Sequence, residues 1–184
     1  MTRLAAFDGR DEVRWFEHHG HRIHVWQRPG TETPIILLHG FPDNLHLYDS
    51  LVPLLGDRWV VRFDFLGWGD SDKPAAYPRS AHDQTRELGA VVASQRSDKV
   101  VIVAHDASGP PAIDWALEHP GHVDLLVLLN TYHGWSPTLR PPEAIALFSL
   151  PLVRVPAQWL GRNSPGFQEM ALAEDRVPEV RKTR

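Results

Sequence analysis

The stretch from Val100 to Pro111, VVIVAHDASGPP, decides the fold and most of the chemistry that this sequence predicts. Its first residues are apolar and mostly β-branched, which is typical of a strand covered on both faces of a parallel sheet. Small residues on either side of Asp106 then fit a sharp turn from the strand into a helix. Such a turn holds its central side chain clear of the sheet, and it places the next amide, that of Ala107, where it can stabilise negative charge.

Two other interpretations of this turn follow from the residues alone. Ser108 would be the nucleophile in a shifted register, but Asp106 and Pro110 would then fill positions that favour smaller residues. Alternatively, Asp106 only caps the following helix, because Asp accepts hydrogen bonds from free N–H groups at a helix start. The capping interpretation is outweighed by further motifs that occur in the expected order along the chain.

Two such motifs precede the turn. Ile35 to Asp43, IILLHGFPD, is an apolar strand followed by a His-Gly turn, and Phe63 to Pro74 reads FDFLGWGDSDKP. Together with AHDASG, from Ala104 to Gly109, this ordered set resembles the α/β-hydrolase superfamily, and within it the epoxide hydrolase and haloalkane dehalogenase branch. The resemblance extends over the region from Trp15 to Pro142.

The resemblance implies a mechanism in two steps. In that branch the aspartate of the turn attacks carbon and forms a covalent alkyl ester, which water then hydrolyses. Carried over to this chain, the nucleophile is Asp106, and the backbone N–H groups of Phe41 and Ala107 form the oxyanion hole. His39 matches a structural position of the same motif, so it is not expected to act as a base.

Strand-like and helical segments alternate along the chain, which predicts an α/β fold. We expect a mostly parallel sheet with helices on both faces, and active groups at the carboxyl ends of the strands. The predicted strands are Val13–Glu17 and Ile23–Gln27, which form an antiparallel hairpin at one edge, and then Ile35–Leu38, Val60–Phe63, Val100–Val103 and Leu125–Leu129. Ser80 and Asp83 form a capping-box pattern for a helix that ends near Gln95, and a second helix spans Pro110–His119.

The sequence changes character after Asn130. Prolines then separate short apolar stretches, and the last residues, VPEVRKTR, form a charged tail. We therefore expect residues 1–134 to form the N-terminal part of an α/β-hydrolase core. Residues 135–184 are expected to begin a helical cap and to end in a polar tail.

The general base is the part that the sequence does not supply in its usual place. In the family, the catalytic histidine and the acid that orients it follow the cap, whereas no histidine follows His133 here. Asn130 stands near the position where some relatives carry the acid. His105 adjoins Asp106, but neighbouring side chains diverge at such a turn, so His133 is the remaining candidate base. The expectation is a chain that is incomplete, degenerate or completed by a second polypeptide.

The resemblance implies a small apolar substrate, and the residues near Asp106 bear on which kind of bond is hydrolysed. Haloalkane dehalogenases usually bind the leaving halide with a tryptophan after the nucleophile and a second donor after the His-Gly pair. Those two positions hold Ala107 and Phe41 here, which weakens the dehalogenase interpretation, and HGFP favours the epoxide side. Trp135 and Trp159 are candidate donors to a leaving group. The predicted activity is hydrolysis of an epoxide or a carbon–halogen bond. Two alternatives stay open: a non-catalytic remnant or binding module, and an esterase.

Composition argues against several other classes of protein. The chain has 184 residues, a net charge of -4 and no cysteine, which gives no nucleic-acid signature and excludes disulfides. Neither a signal peptide nor a membrane-spanning run is recognisable, which favours a cytoplasmic protein.

Neither a metal nor a cofactor is predicted. The turn at Gly67, Trp68 and Gly69 lacks the third glycine of a dinucleotide-binding motif. A cluster of histidines in the predicted hairpin lacks the Cys or carboxylate partners of zinc sites, and strand alternation sends its members to different faces. The members of this cluster are His18, His19, His21 and His24.

Overall fold

The structure is a computed structural model, and it describes residues 9–134. These residues belong to the first of two compact units, Met1–Gly134, and the second unit is Trp135–Arg184. The predictions of a helical cap and a polar tail, and those for Trp135 and Trp159, lie outside the described residues.

A mixed sheet of six strands forms the centre of the first unit. The strands are β1 Glu12–His18, β2 His21–Arg28, β3 Ile35–Leu38, β4 Val60–Phe63, β5 Val100–His105 and β6 Val123–Leu129. Their order across the sheet is β1-β2-β4-β3-β5-β6. The hairpin strands pair antiparallel with each other, and β2 pairs antiparallel with β4; the pairs β4–β3, β3–β5 and β5–β6 are parallel. The predicted fold, with its hairpin at one edge, is confirmed.

One face of the sheet is covered by two α-helices. The first, α1, spans Ala81–Ser94 and starts with the predicted capping box, in which Ser80 and Asp83 each accept a hydrogen bond from the other's backbone N–H. The second, α2, spans Gly109–Glu118 and carries its prolines in the first turn, where their missing N–H groups have no helical partner to lose. Both helices pack on the main core through Leu88, Val91, Val92, Ala112 and Trp115.

The opposite face differs from the prediction in the kind of helix that covers it. Between β3 and β4 the described residues form two short 3-10 helices, Leu45–Tyr48 and Val52–Leu55. Asn44 caps the first, whereas Pro53 lies in the first turn of the second and Gly56, with a φ of 59°, ends it. These closely spaced signals leave no room for a regular α-helix.

The register of the central strands positions the candidate site. Strands β3 and β5 are parallel neighbours, and Leu38 at the end of β3 is paired with Ala104 near the end of β5. The turn that contains His39 and Gly40 therefore leaves the sheet beside the turn that contains Asp106. Parallel strands with this register bring their carboxyl ends to one edge, which is where α/β proteins carry their functional groups.

Candidate active site

Asp106 lies in the sharp turn that connects β5 to α2. A single 3-10 turn, Asp106–Ser108, separates the end of the strand from the first residue of the helix. The backbone of Asp106 has a φ of 50°, in the left-handed region. Few residues other than glycine adopt this conformation, although Asp tolerates it better than most. The local geometry is that of a sharp strand-to-helix turn, called the elbow below, and its role as a nucleophile elbow stays a prediction.

Gly40 allows the backbone of the His-Gly turn to approach the Asp106 side chain. A Cβ atom on Gly40 would lie 2.6 Å from Asp106 Cβ and 2.8 Å from Asp106 Oδ2. Both separations are too short for any side chain, so only glycine fits here. The close approach brings the next amide of the turn, that of Phe41, onto the carboxylate.

The two oxygens of the Asp106 carboxylate have different surroundings. The backbone N–H of Phe41 donates to Oδ2 at 2.9 Å. Among residues 9–134, no hydrogen bond to Oδ1 is found. One oxygen is thus held by a main-chain donor, and the other has no hydrogen-bond partner within this range. The Ala107 amide stays a predicted second donor.

The His39 side chain is hydrogen-bonded to the backbone of the His-Gly turn. Its side chain is 2% exposed, its Nδ1 lies 2.9 Å from the carbonyl oxygen of Gly40, and the backbone N–H of Phe65 donates to its Nε2 at 3.2 Å. Burial lowers the pKa of the imidazole and so favours its neutral form. Both ring nitrogens are therefore bonded to the backbone, which is the geometry of a structural residue.

The Ser108 hydroxyl is also hydrogen-bonded to backbone groups. Its Oγ accepts from the His105 N–H at 3.0 Å and lies within hydrogen-bond distance of the carbonyl oxygens of His105 and Leu38, at 2.8 and 3.1 Å. The residue is 1% exposed. A hydroxyl in this position closes the elbow onto β3 and is shielded from substrate.

A family comparison agrees with this geometry. The sequence model described as alpha/beta hydrolase fold matches residues 33–169, which include the His-Gly turn, the elbow and the strands that carry them. The chain belongs to the α/β hydrolase fold family.

Individual members of this α/β hydrolase family resemble the chain over about half of their own length. Haloalkane dehalogenase 2 of Mycobacterium tuberculosis is 33% identical over 155 residues, which are 83% of this chain and 52% of that protein. A serine hydrolase-like protein of Danio rerio is 35% identical over 142 residues, covering 74% of this chain and 41% of that protein. The solved epoxide hydrolase CorEH matches with a TM-score of 0.64 and 26% identity, over 76% of this chain and 49% of that one. The predicted resemblance to both dehalogenases and epoxide hydrolases is confirmed.

His133, the candidate base, contacts a carboxylate other than that of Asp106. Its Nε2 lies 3.0 Å from Asp114 Oδ1 on α2, and both side chains are nearly half exposed. Within the described range, the structure brings Phe41 to the Asp106 carboxylate but not His133. His105 does not substitute for it, since its Nδ1 is buried without a hydrogen-bond partner among these residues.

Two buried carboxylates hold the turn after β4, and the sequence did not reveal their importance. Asp64 is 1% exposed and accepts from His24 Nδ1 and from the backbone of Leu45 and Asp70, at 2.7 to 3.0 Å. Burial alone would raise the pKa of Asp64, but these hydrogen bonds outweigh burial and hold it below its ordinary value. The available signal was an Asp directly after the apolar strand Val60–Phe63.

The second buried carboxylate is Glu87 on α1. It is fully buried, it accepts from the Leu66 N–H at 2.8 Å, and burial raises its pKa to about 7. Its position could have been recognised because Val91, one helical turn further along, faces the same core. Asp64 and Glu87 together fix the turn that begins at Phe65, the residue that donates to His39.

The same turn places an aromatic ring beside the site. The Phe41 and Trp68 rings lie 5.4 Å apart at an interplanar angle of 88°, an edge-to-face contact. The Phe41 ring itself is 46% exposed. Its backbone therefore serves the carboxylate while its side chain stands at the surface of the described residues.

Other possible sites lie apart from the elbow. A groove of about 380 Å³ runs between α1 and α2, and Trp115, His119 and Arg86 are among the residues that line it. No group of three metal-ligating side chains is found in residues 9–134. The helices of the same range are too short or too polar to cross a membrane.

Proposed function

We propose that this chain carries the nucleophile of a hydrolase that opens an epoxide or a carbon–halogen bond in a small apolar substrate. The proposal rests above all on the Asp106 carboxylate because, among the described residues, one of its oxygens is bonded to a main-chain amide and the other has no hydrogen-bond partner. The haloalkane dehalogenase and epoxide hydrolase relatives favour the same type of substrate.

In the first step, Asp106 Oδ1 attacks a saturated carbon of the substrate. An Oδ1–carbon bond forms, and the bond to the leaving group breaks with its electron pair on that group. A halide departs as the anion, whereas an opened epoxide becomes an alkoxide that takes a proton. The product is an alkyl ester of Asp106. The Phe41 N–H bond to Oδ2 favours this step by fixing which oxygen faces the substrate.

In the second step, water attacks the carboxyl carbon of the ester. Negative charge then develops on Oδ2, which already lies 2.9 Å from the Phe41 nitrogen. Preorganised backbone donors of this kind stabilise the tetrahedral intermediate. The intermediate collapses by releasing the alcohol and restoring the carboxylate. Water must also lose a proton, and a positioned base contributes about 10²- to 10⁴-fold to such a step. His133 stays a proposed candidate for that base.

A serine esterase is the second candidate, since one relative is named a serine hydrolase-like protein. Two features argue against it in this chain. The elbow position holds Asp106, and the nearby Ser108 hydroxyl is buried against backbone carbonyls. An attacking serine requires an accessible hydroxyl with a base beside it.

The experiment that tests the proposal is measurement of the intact mass of the protein after incubation with small epoxides and haloalkanes. We expect a stoichiometric adduct on wild type, mapped by peptide analysis to Asp106, and none on Asp106→Asn. The Asn variant keeps the size of the side chain and tolerates the left-handed backbone, so it is a matched control for folding. An adduct on Ser108 would support the esterase alternative. Absence of any adduct on folded wild type would favour the non-catalytic binding module.

A further inference from the structure

The peptide unit between Gly40 and Phe41 is hydrogen-bonded at both of its polar atoms. Its N–H, which belongs to Phe41, donates to Asp106 Oδ2 at 2.9 Å. Its carbonyl oxygen, which belongs to Gly40, lies 2.9 Å from Nδ1 of His39. The oxyanion-hole donor and the His39 contact are thus opposite ends of one rigid plane.

The hydrogen bond at Nε2 of His39 determines which ring nitrogen carries the proton. The backbone N–H of Phe65 points at Nε2, so Nε2 must accept a hydrogen bond. A neutral imidazole that accepts at Nε2 carries its proton on Nδ1. That proton is then donated to the Gly40 carbonyl, which can only accept.

We propose that His39 is a positioning residue for the oxyanion hole. The neutral, Nδ1-protonated ring links the Phe65 amide to the Gly40 carbonyl, and through that peptide it aims the Phe41 N–H at Asp106. The inference rests on the proposed function of Asp106. It adds a role for a buried residue whose contacts are otherwise only structural.

Two physical effects give His39 this role. The first is orientation: rotation of the Gly40–Phe41 peptide would break the bond at the carbonyl as well as the bond at the amide. The second is polarisation, because a carbonyl that accepts a hydrogen bond makes the N–H of the same peptide a stronger donor. Both effects are enhanced by burial, since His39 is 2% exposed and water cannot replace the imidazole.

Two isosteric substitutions separate the two ends of the ring. His39→Asn keeps a donor at the position of Nδ1 and loses the acceptor for Phe65. His39→Gln reaches the position of Nε2, so it keeps the acceptor and loses the donor to Gly40. Both variants leave one backbone group unpaired, and we expect similar losses of thermal stability. The proposal predicts that they differ in chemistry.

The difference between the variants is best measured as the rate at which hydroxylamine cleaves the alkyl ester at Asp106. The hydroxylamine nitrogen attacks the Asp106 carboxyl carbon, charge develops on Oδ2 next to Phe41 N–H, and the alkoxide leaves and takes a proton from solvent. The product is a hydroxamate at Asp106, visible as a change of intact mass. Hydroxylamine is a strong nucleophile that needs no protein base, so the rate reports the oxyanion hole.

We expect the adduct of His39→Asn to be cleaved about tenfold faster than that of His39→Gln, which is a partial loss compared with the ~10²- to 10³-fold cost of removing an oxyanion donor altogether. In denaturant, the adducts of all variants should be cleaved at one common rate. Equal rates for the two folded variants, or a faster rate for the Gln variant, would overturn the proposal.

The ring tautomer provides a test that needs no substrate. Nitrogen-15 NMR of the uniformly labelled 184-residue chain should show a neutral Nδ1–H histidine signal that is missing from both His39 variants. An Nε2–H tautomer or a charged ring at His39 near pH 8 would refute the relay. If wild type forms no adduct at all, the proposed function fails, whereas the NMR result still decides the role of His39.

Discussion

Strands β3 and β6 are both rich in leucine, yet their surroundings are opposite. All four residues of β3 are buried, and Leu37 and Leu38 have no exposed surface. In β6, Leu125 is 54% exposed and Leu128 is 44% exposed. The difference arises because β3 lies between β4 and β5, whereas β6 pairs with β5 alone among the described strands. Apolar composition therefore predicts a strand, but only the neighbours determine whether it is covered.

The residues of the proposed reaction are divided in the same way between a buried region and an exposed one. Beside β3 and β5, the Asp106 carboxylate is held by a main-chain amide and by tight backbone packing. Beyond β6, the candidate base His133 forms an exposed ion-pair contact with Asp114. In the proposed mechanism, attack on the substrate and hydrolysis of the ester therefore depend on regions with very different degrees of internal support. Substitutions in the two regions should differ accordingly.

The largest effect is expected for Gly40→Ala, because the added methyl group would meet the nucleophile itself, 2.6 Å from Asp106 Cβ. Overpacking of this kind costs about 1–3 kcal/mol, and displacement of the carboxylate should eliminate adduct formation. Intact mass and thermal unfolding measure the two effects. Gly121→Ala, just before β6, is the matched control, since nothing lies within 4 Å of its added Cβ. Equal behaviour of the two variants would remove the contrast between the regions.

The next effect is expected for Glu87→Gln, and it concerns the pH dependence of stability rather than adduct formation. Burial raises the pKa of Glu87 from 4.5 to about 7, so the folded chain binds its proton more tightly than the unfolded chain. The contribution of Glu87 to stability is therefore greatest below pH 4.5 and declines until about pH 7. At about 1.4 kcal/mol per pKa unit, the decline is roughly 3 kcal/mol.

Chemical denaturation at pH 5 and pH 8 tests this expectation. The Gln variant carries no ionisable group at this position, so its stability relative to wild type should rise between the two pH values. Glu118→Gln on α2 is a surface control for general charge effects, because Glu118 is exposed at the end of that helix. A constant difference between wild type and Glu87→Gln across this range would contradict the burial argument.

The smallest effect is expected for His133→Ala. Exposed ion pairs contribute about 0–1 kcal/mol, so the unfolding temperature should change little. The alkyl-enzyme should form at the wild-type rate and accumulate, with at most one turnover in either protein. Rapid-mixing assays of product release give the result. Sustained turnover by wild type that is lost in His133→Ala would instead identify His133 as the general base.

The sequence predicted the elements whose signals are local. The bounds of β3 and β4 were predicted to the residue because both are short, mainly apolar runs followed by a polar residue, and the Ser80 capping box correctly marked the start of α1. Strands β1 and β2 are longer than predicted at both ends. Cross-strand pairing extends them through polar residues such as Glu12 and Arg28 that have no strand preference of their own.

The supports of the candidate site could not be predicted in the same way. Asp64, Glu87 and His39 each bind backbone groups that are distant in the sequence, so their partners depend on how the strands assemble. The family resemblance implied that the Phe41 amide belongs to the oxyanion hole, which stays a prediction, and the structure places that amide 2.9 Å from Asp106 Oδ2. The direction of the His133 side chain had no comparable signal.

The left-handed backbone at Asp106 also restricts how mutation can change this protein. Glycine, Asn and Asp adopt that conformation readily, whereas other residues pay roughly 1–2 kcal/mol. The exchanges that the elbow accepts most easily, Asn and Gly, are not nucleophiles. Replacing one reactive group by another is therefore a harder step than losing reactivity while the fold survives. Under relaxed selection, a protein of this design would drift more readily toward a binding protein than toward an enzyme with new chemistry.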